Sequence, residues 1–410
     1  MQTSLLQSVP NDPSAGEDTN GKAPEYPAIV SNAPGSFAWH VFQERHPNLV
    51  SKLRQAHPYL PFQHQALNSL VEETLTGQIS RLPRSAHDHA AWDAWGGDYF
   101  GQRWYDVPFL WAESYFYRRL LEAIGFFTSG PWFWVDPFEF LKTAELQDPV
   151  LDHELAALDD LRHLSPEQRA EALLLASLWG NRADLGFRIG RASAAGEPAL
   201  AASLVRDDSA AIWSTLTSGE ARRVCVVADN AGRELLADLV FVDHLLQEGL
   251  ASEVALHLKP HPYYVSDAVT ADLVGCLRRL AASGGSAADI AGRIQHALSN
   301  GYITVYTHWF YCAPLSFHHM PSDLAREFES ASLTLMKGDL NYRRLVGDCD
   351  WPATTPFTEA VDYFPGPVAS LRTLKSDVVV GLDSQALSAL DASGEPWRTN
   401  GSHGLVQARM

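Results

Sequence analysis

Residues 222–246 read RRVCVVADNAGRELLADLVFVDHLL, and the order of residue types in them decides the fold. Val224, Cys225, Val226 and Val227 make a short unbroken apolar run, as in a strand buried on both faces. The run stops at Asp229-Asn230-Ala231-Gly232, and a segment with apolar residues at helical spacing follows at once. A strand, a polar turn and a helix in that order open a βαβ unit.

The same alternation continues downstream. SEVALHL (252–258), YITVYTH (302–308), ASLTLMK (331–337) and SDVVVGL (376–382) read as further strands. Helical segments such as AADIAGRIQHALSNG lie between them. The expectation is a Rossmann-like α/β/α sandwich with a mostly parallel sheet, over residues 221–385. Upstream, residues 26–220 read as an all-helical domain dense in aromatic residues. DVPFLWAESYFYRRLLEAIGFF and SPEQRAEALLLASLWGNRADL both carry i, i+3, i+4 apolar spacing, and Ser165-Pro166 is an N-cap signal. Residues 1–25 read as a disordered tail, and 386–410 as a loose polar C-terminal tail.

Bulk composition narrows the function. A net charge of −18 argues against a nucleic-acid binder, because phosphate backbones need a basic surface. It also makes any local gathering of Lys and Arg informative. No apolar run approaches the roughly 18 residues that cross a bilayer, and no secretory leader is expected. The four cysteines show no CxxC spacing, so a reducing, cytoplasmic setting is the default.

In open α/β sheets ligands bind beyond the carboxyl ends of the strands. Those ends deliver Asp229 and Asn230, then Lys259 and Asp267, then His308, then Lys337, Asp339, Asn341 and Arg343. Asp229, Asn230 and Asp267 are oxygen donors, the kind hard divalent cations prefer. An Asp-Asn pair before Gly is equally a turn and a helix cap, and the two roles are compatible. In KGDLNYRRL (337–345) and RTLK (372–375), Lys337, Arg343 and Lys375 are candidate phosphate cations. The bland alternative there is a strand-to-helix turn with solvated basic residues. Glu234 reads first as a first-turn acid suited to the helix dipole. Glu113, Asn181, Arg182 and Asp184 are polar groups on apolar helices that reach a cleft or satisfy interdomain contacts. His308, His318 and His319 fit no standard zinc spacing.

DNAGRELLADL, KGDLNYRRL and Arg372-Thr373-Leu374-Lys375 together resemble the damage-control phosphatase family, in its ARMT-like branch (domain of unknown function 89). SFAWHVFQERHPNLV, RWYDVPFLWAESYFYRRLL and SLWGNRADL look like that family's helical N-terminal portion. The resemblance implies a metal-dependent phosphatase of small phosphorylated metabolites, with fructose 1-phosphate and fructose 6-phosphate types among the substrates. It implies Asp229, Asn230 and Asp267 as ligands of a divalent ion, Mn²⁺ or Mg²⁺ with Co²⁺ or Ni²⁺ as alternatives. It implies Asp339, Leu340, Asn341, Tyr342, Arg343 and Lys375 as the substrate segment. From the charges, the expected catalytic set is Asp229, Asn230 and Asp339, with Asp339 either orienting or deprotonating the attacking water or itself the nucleophile. Arg233, where the family often has a bulky apolar residue, is a departure, as is Tyr in place of a Trp-like residue near PHPYYVSD. The competing expectation is an S-adenosylmethionine-dependent protein-glutamate methyltransferase. Against it, the DNAGREL loop has a single Gly and places its acids too early.

Overall fold

The computed structural model describes residues 24–180, 204–219 and 222–410. Seven strands form one sheet: β1 Leu204–Asp207, β2 Arg222–Val227, β3 Ala251–Leu258, β4 Ile303–Thr307, β5 Leu333–Lys337, β6 Val368–Thr373 and β7 Gly404–Arg409. Their spatial order is β1-β7-β6-β5-β2-β3-β4. Every pairing is parallel except β6 with β7.

Side chains alternate along each strand, so each strand feeds two cores. Val224 and Val226 of β2 enter one, with Leu256 of β3 and Leu335 of β5. Cys225 and Val227 enter the other, with Ala255 and Met336. The first core is roofed by helices Pro166–Trp179, Arg233–Gln247, Thr270–Ala282 and Gly285–Ser299. The second is covered by helix Ser322–Glu329 and the buried segments around Phe317 and Phe357. This is the expected α/β/α sandwich. A third core of Trp, Tyr and Phe side chains lies in the helical portion, centred on helix Phe109–Ile124.

Three expectations differ from the structure. SDVVVGL is not a strand: Val378, Val379 and Val380 are buried without joining a ladder, and β6 is VASLRT just upstream. Ser370, Arg372 and Thr373 hid that strand, because they are polar yet buried. The C-terminal tail is not loose. It forms helix Ser384–Ala392 and then β7, whose Gln407 is fully buried between the Tyr342 hydroxyl and the Val380 carbonyl. The boundary at 220 is also not where the layers divide. Leu151 to Trp179 pack on the sheet, and β1 joins its edge. The capping reading of Ser165 holds, with Gln168 completing a capping box. Residues 1–23 of the expected tail and Asn181, Arg182 and Asp184 lie outside the described residues.

Candidate active site

From β2 the chain runs to β3 and β4 on one side, while β5 lies against β2's other edge and leads to β6. The strand order therefore reverses between β2 and β5, the place where an open parallel sheet leaves a crevice at its carboxyl edge. Asp229 and Asn230 leave β2 there, and Gly338 and Asp339 leave β5. The loop after β3 folds back onto the β2 exit. Asn230 and Asp267 form an antiparallel bridge, Ala231 N–H donates to Ser266 O at 2.7 Å, and Ala268 N–H donates to Asp229 O at 2.9 Å. These backbone bonds explain how residues distant in sequence come together.

The turn at Gly338 makes the approach possible. Its φ is +79°, and a Cβ there would stand 1.8 Å from Asp229 Oδ2. Only glycine satisfies both conditions. Gly232 plays a similar part beside Glu145, with φ +67° and a Cβ that would meet Glu145 Oε2 at 2.2 Å.

Asp229 and Asp267 are buried. Asn230 Nδ2 donates to Asp229 Oδ2 at 2.7 Å and to Glu234 Oε2 at 2.9 Å, while its Oδ1 accepts from the Ser266 hydroxyl. Tyr264 N–H donates to Asp267 Oδ2 at 3.1 Å. Burial, then the charges of Glu234 and Asp267, push the Asp229 carboxyl well above the usual range, with Lys259 and Lys375 opposing. Neither Asp229 nor Asn230 caps the following helix, Arg233–Gln247: Gly232 holds that position with no side-chain bond. Three acidic side chains and one amide thus converge with negative charge that the surrounding cations do not fully offset. That donor set fits a hard divalent ion, which would relieve the cost of burying Asp229.

The second group divides. Asp339 Oδ1 accepts from Arg372 Nε at 2.8 Å and from Lys375 N–H at 3.1 Å. Burial pushes its carboxyl up, but Arg372 and then Arg343 prevail and hold it below the ordinary value. Lys375 is exposed at the cleft and makes no ion pair among the described residues. Leu340 and Arg343 also line the cleft. Asn341 and Tyr342 do not. The Asn341 amide donates to Ala228 O at 3.1 Å and Lys337 O at 2.9 Å, tying the helix after β5 to the β2 exit. The Tyr342 hydroxyl donates to Gln407 of β7, on the far side of β6 from the β2 exit. A helix turning every 100° cannot present five consecutive side chains to one ligand.

Two predicted cations are occupied internally. Lys337 is buried and bonds Asp238 Oδ1 at 2.7 Å and Ser177 O at 2.5 Å. Arg343 forks onto Asp348 with Nε at 2.9 Å and Nη2 at 2.8 Å, and reaches Glu113 Oε2 with Nη1 at 2.8 Å. Arg343 therefore ties the core to the helical portion. Lys142 does the same, bonding Asp136, Asp272 and the Asp267 carbonyl. Sequence reading passed over Lys142, Glu145, Arg45, His46 and Tyr117, all of which line this cleft of about 600 Å³. They belong to helices whose apolar spacing showed only a core.

Two other places lie apart from this cleft. Cys225, His257 and Glu327 bring ligand atoms within 4.8 Å of one another among the described residues. They sit on the second-core face of the sheet, not with Asp229. Glu327 is already neutralised by Arg223, burial pushes the Cys225 thiol up to about 12, and burial lowers His257 to about 3. His308 pairs with Asp323 at 3.3 Å, while His318 stacks on Tyr363, so the histidines form no shared cluster. A second cavity of about 140 Å³ is walled by Trp92, Trp95, Trp134 and Trp309, and its Asp88 and Arg118 are spent on each other.

The damage-control phosphatase ARMT1-like domain profile matches residues 41–390. Damage-control phosphatase ARMT1 of Danio rerio is 30% identical, the match covering 93% of this chain and 96% of that protein. The Rattus norvegicus and Homo sapiens proteins of that name are 34% and 32% identical, each over 74% of this chain and 75% of their own length. A solved DUF89-family protein from Pyrococcus horikoshii aligns with 86% of this chain and 94% of its own at 13% identity and a TM-score of 0.47. Family profile and relatives span both the cleft-lining helices and the sheet, and on that extent the chain belongs to the ARMT1-like damage-control phosphatase family.

Proposed function

We propose that this protein is a metal-dependent phosphatase that hydrolyses phosphate monoesters of small sugar phosphates, of the fructose 1-phosphate or fructose 6-phosphate type. The observation that carries the reading is the meeting of Asp229, Asn230 and Asp267 with Lys375 and Asp339 at one crevice. Acids there would hold a divalent ion; Lys375, without an ion pair among the described residues, would hold the ester's phosphate.

Asp229, Asn230 and Asp267 are the residues that would bind the ion, Mn²⁺ or Mg²⁺ by donor type, with Glu234 orienting Asn230. When bound, such an ion supplies charge stabilisation to phosphoryl oxygens. Lys375, at the same crevice, neutralises the remaining phosphate charge. The first turn of helix Gly338–Val346 adds backbone N–H groups that favour an anion. Asp339, kept ionised by Arg372, is a weak base and is better suited to orienting a water than to deprotonating it. Arg343 and Lys142 fix the walls of the crevice rather than touch the phosphate. All four cysteines are unpaired thiols, in keeping with the reducing, cytoplasmic setting proposed here. No helix among the described residues is long and apolar enough to cross a membrane. The methyltransferase alternative is set aside because the named relatives are phosphatases and the β2 exit offers acids where a glycine-rich loop is needed.

The test is phosphate release from a panel of esters with Mn²⁺, Mg²⁺, Co²⁺ or Ni²⁺ and with chelator. Metal-dependent release that Asp229→Ala reduces by at least about 10³-fold supports the reading. Undiminished turnover in that variant refutes it.

A further inference from the structure

Only part of the 600 Å³ cleft lies beside the acids and Lys375. The remainder is built by the helical portion, and its chemistry is of another kind. Arg45 is exposed there and makes no ion pair among the described residues, though the chain carries a net charge of −18. Its guanidinium lies 5.6 Å from the Phe37 ring centroid. Arg45 acts on Glu113, Tyr117 and His46, whereas Lys375 acts on Asp229 and Glu145, so the two cations serve different ends of the cleft.

Glu113 is held in place from behind. Arg343 engages its Oε2, and Asp348 anchors Arg343 in turn, while Glu113 Oε1 accepts no bond from a described residue. Tyr117 is fixed by stacking on Tyr264, with ring centroids 4.6 Å apart. Behind them His46 is 1% exposed and stacked 3.7 Å from the Phe116 ring, with neither ring nitrogen bonded. A donor fork, a fixed acceptor and a hydroxyl that does both, framed by aromatic walls, match a carbon chain bearing several hydroxyl groups.

We infer that Arg45, Glu113 and Tyr117 form the subsite for the leaving group and select a polyhydroxylated one, a sugar or open-chain polyol, over an apolar or aryl one. This rests on the proposed phosphatase reading. The helical portion sets substrate preference, while the strand ends carry the phosphate.

The experiment compares kcat/KM for a hexose phosphate, glycerol 3-phosphate and p-nitrophenyl phosphate, in the unsubstituted full chain and in Arg45→Met, with thermal midpoints recorded. Arg45 is on the surface, so the substitution leaves the core intact. The expected result is a fall of at least about tenfold in the preference for hexose phosphate over p-nitrophenyl phosphate, through KM. Glu113→Gln, which retains the bond from Arg343, shifts the preference in the same direction. A preference unmoved within about twofold in both variants, or equal losses on all three esters, overturns the subsite. Absence of metal-dependent release from every ester by the unsubstituted protein overturns the phosphatase reading itself.

Discussion

Gly338→Ala tests the crevice geometry by the smallest possible change, one methyl group. The substitution meets two obstacles. An alanine at φ +79° is in the left-handed region, which costs about 1–2 kcal/mol. The new Cβ would lie 1.8 Å from Asp229 Oδ2, where real Cβ contacts are not found below 3.0 Å. Asp229 or the β5 exit must therefore shift by about 1.2 Å. A displacement of that order at a reacting centre costs about 10²-fold in rate, or about 2.7 kcal/mol of transition-state stabilisation. The expected outcome is a loss of phosphate release of about 10²-fold or more, with weaker Mn²⁺ binding by calorimetry. The thermal midpoint should fall by at least the few degrees that about 1–2 kcal/mol of backbone strain implies for a chain of this size, the clash adding to it. Activity within about threefold of the unsubstituted protein would refute the argument that Asp229 is held against the β5 turn.

Further outcomes follow from groups that the site does not use. Lys337→Met leaves Asp238, raised to about 6 by burial, without its cation, and should cost about 3–5 kcal/mol in urea unfolding. Lys337→Met combined with Asp238→Leu should recover much of that loss, and failure to do so would show that the ion pair is not the cause. His46, His257 and His318 are buried and held below their usual value of 6.5, chiefly by burial, so each is neutral in the fold. Unfolding frees them to take up protons, so the stability they confer is complete above pH 6.5 and is lost as pH falls. With up to three protons, the slope reaches about 4 kcal/mol per pH unit, and a urea midpoint unchanged between about pH 6.5 and 5 would contradict it. Cys225, Cys276 and Cys312 are buried and burial pushes their thiols up, whereas Cys349 is half-buried and its thiol is raised less, to about 11. Cys349 should react first with a thiol reagent under native conditions, and labelling at Cys225 before it would argue against the packing of the second core.

Much of the fold is legible along the chain because strand and helix signals are local. β2, β3, β4 and β5 carry apolar runs, and the helices between them carry their own periodicity, so alternation alone announces a parallel sheet. The pairing of Asp229 and Asn230 with a strand end is equally local, since it needs only the break after Val227. β6 and β7 were hidden for the opposite reason. Arg372 and Gln407 are polar residues made compatible with burial by partners far away, Asp339 for one and Tyr342 for the other.

What the sequence determined by itself is therefore the class of fold and the chemical types gathered at its carboxyl edge. Periodicity and the exit residues of strands are properties of neighbouring positions. Which of those polar residues face the crevice was decided only by tertiary structure. Lys337 and Arg343 look like phosphate cations in a linear reading, yet Asp238, Asp348 and Glu113 claim them. Arg45 went unremarked in the linear reading, yet it stands at the cleft over the Phe37 ring with no ion pair among the described residues. The physical reason is that a charge's role depends on which opposite charge reaches it first in a low-dielectric interior. That depends on packing between elements as far apart in the chain as Glu113 and Arg343, 230 residues.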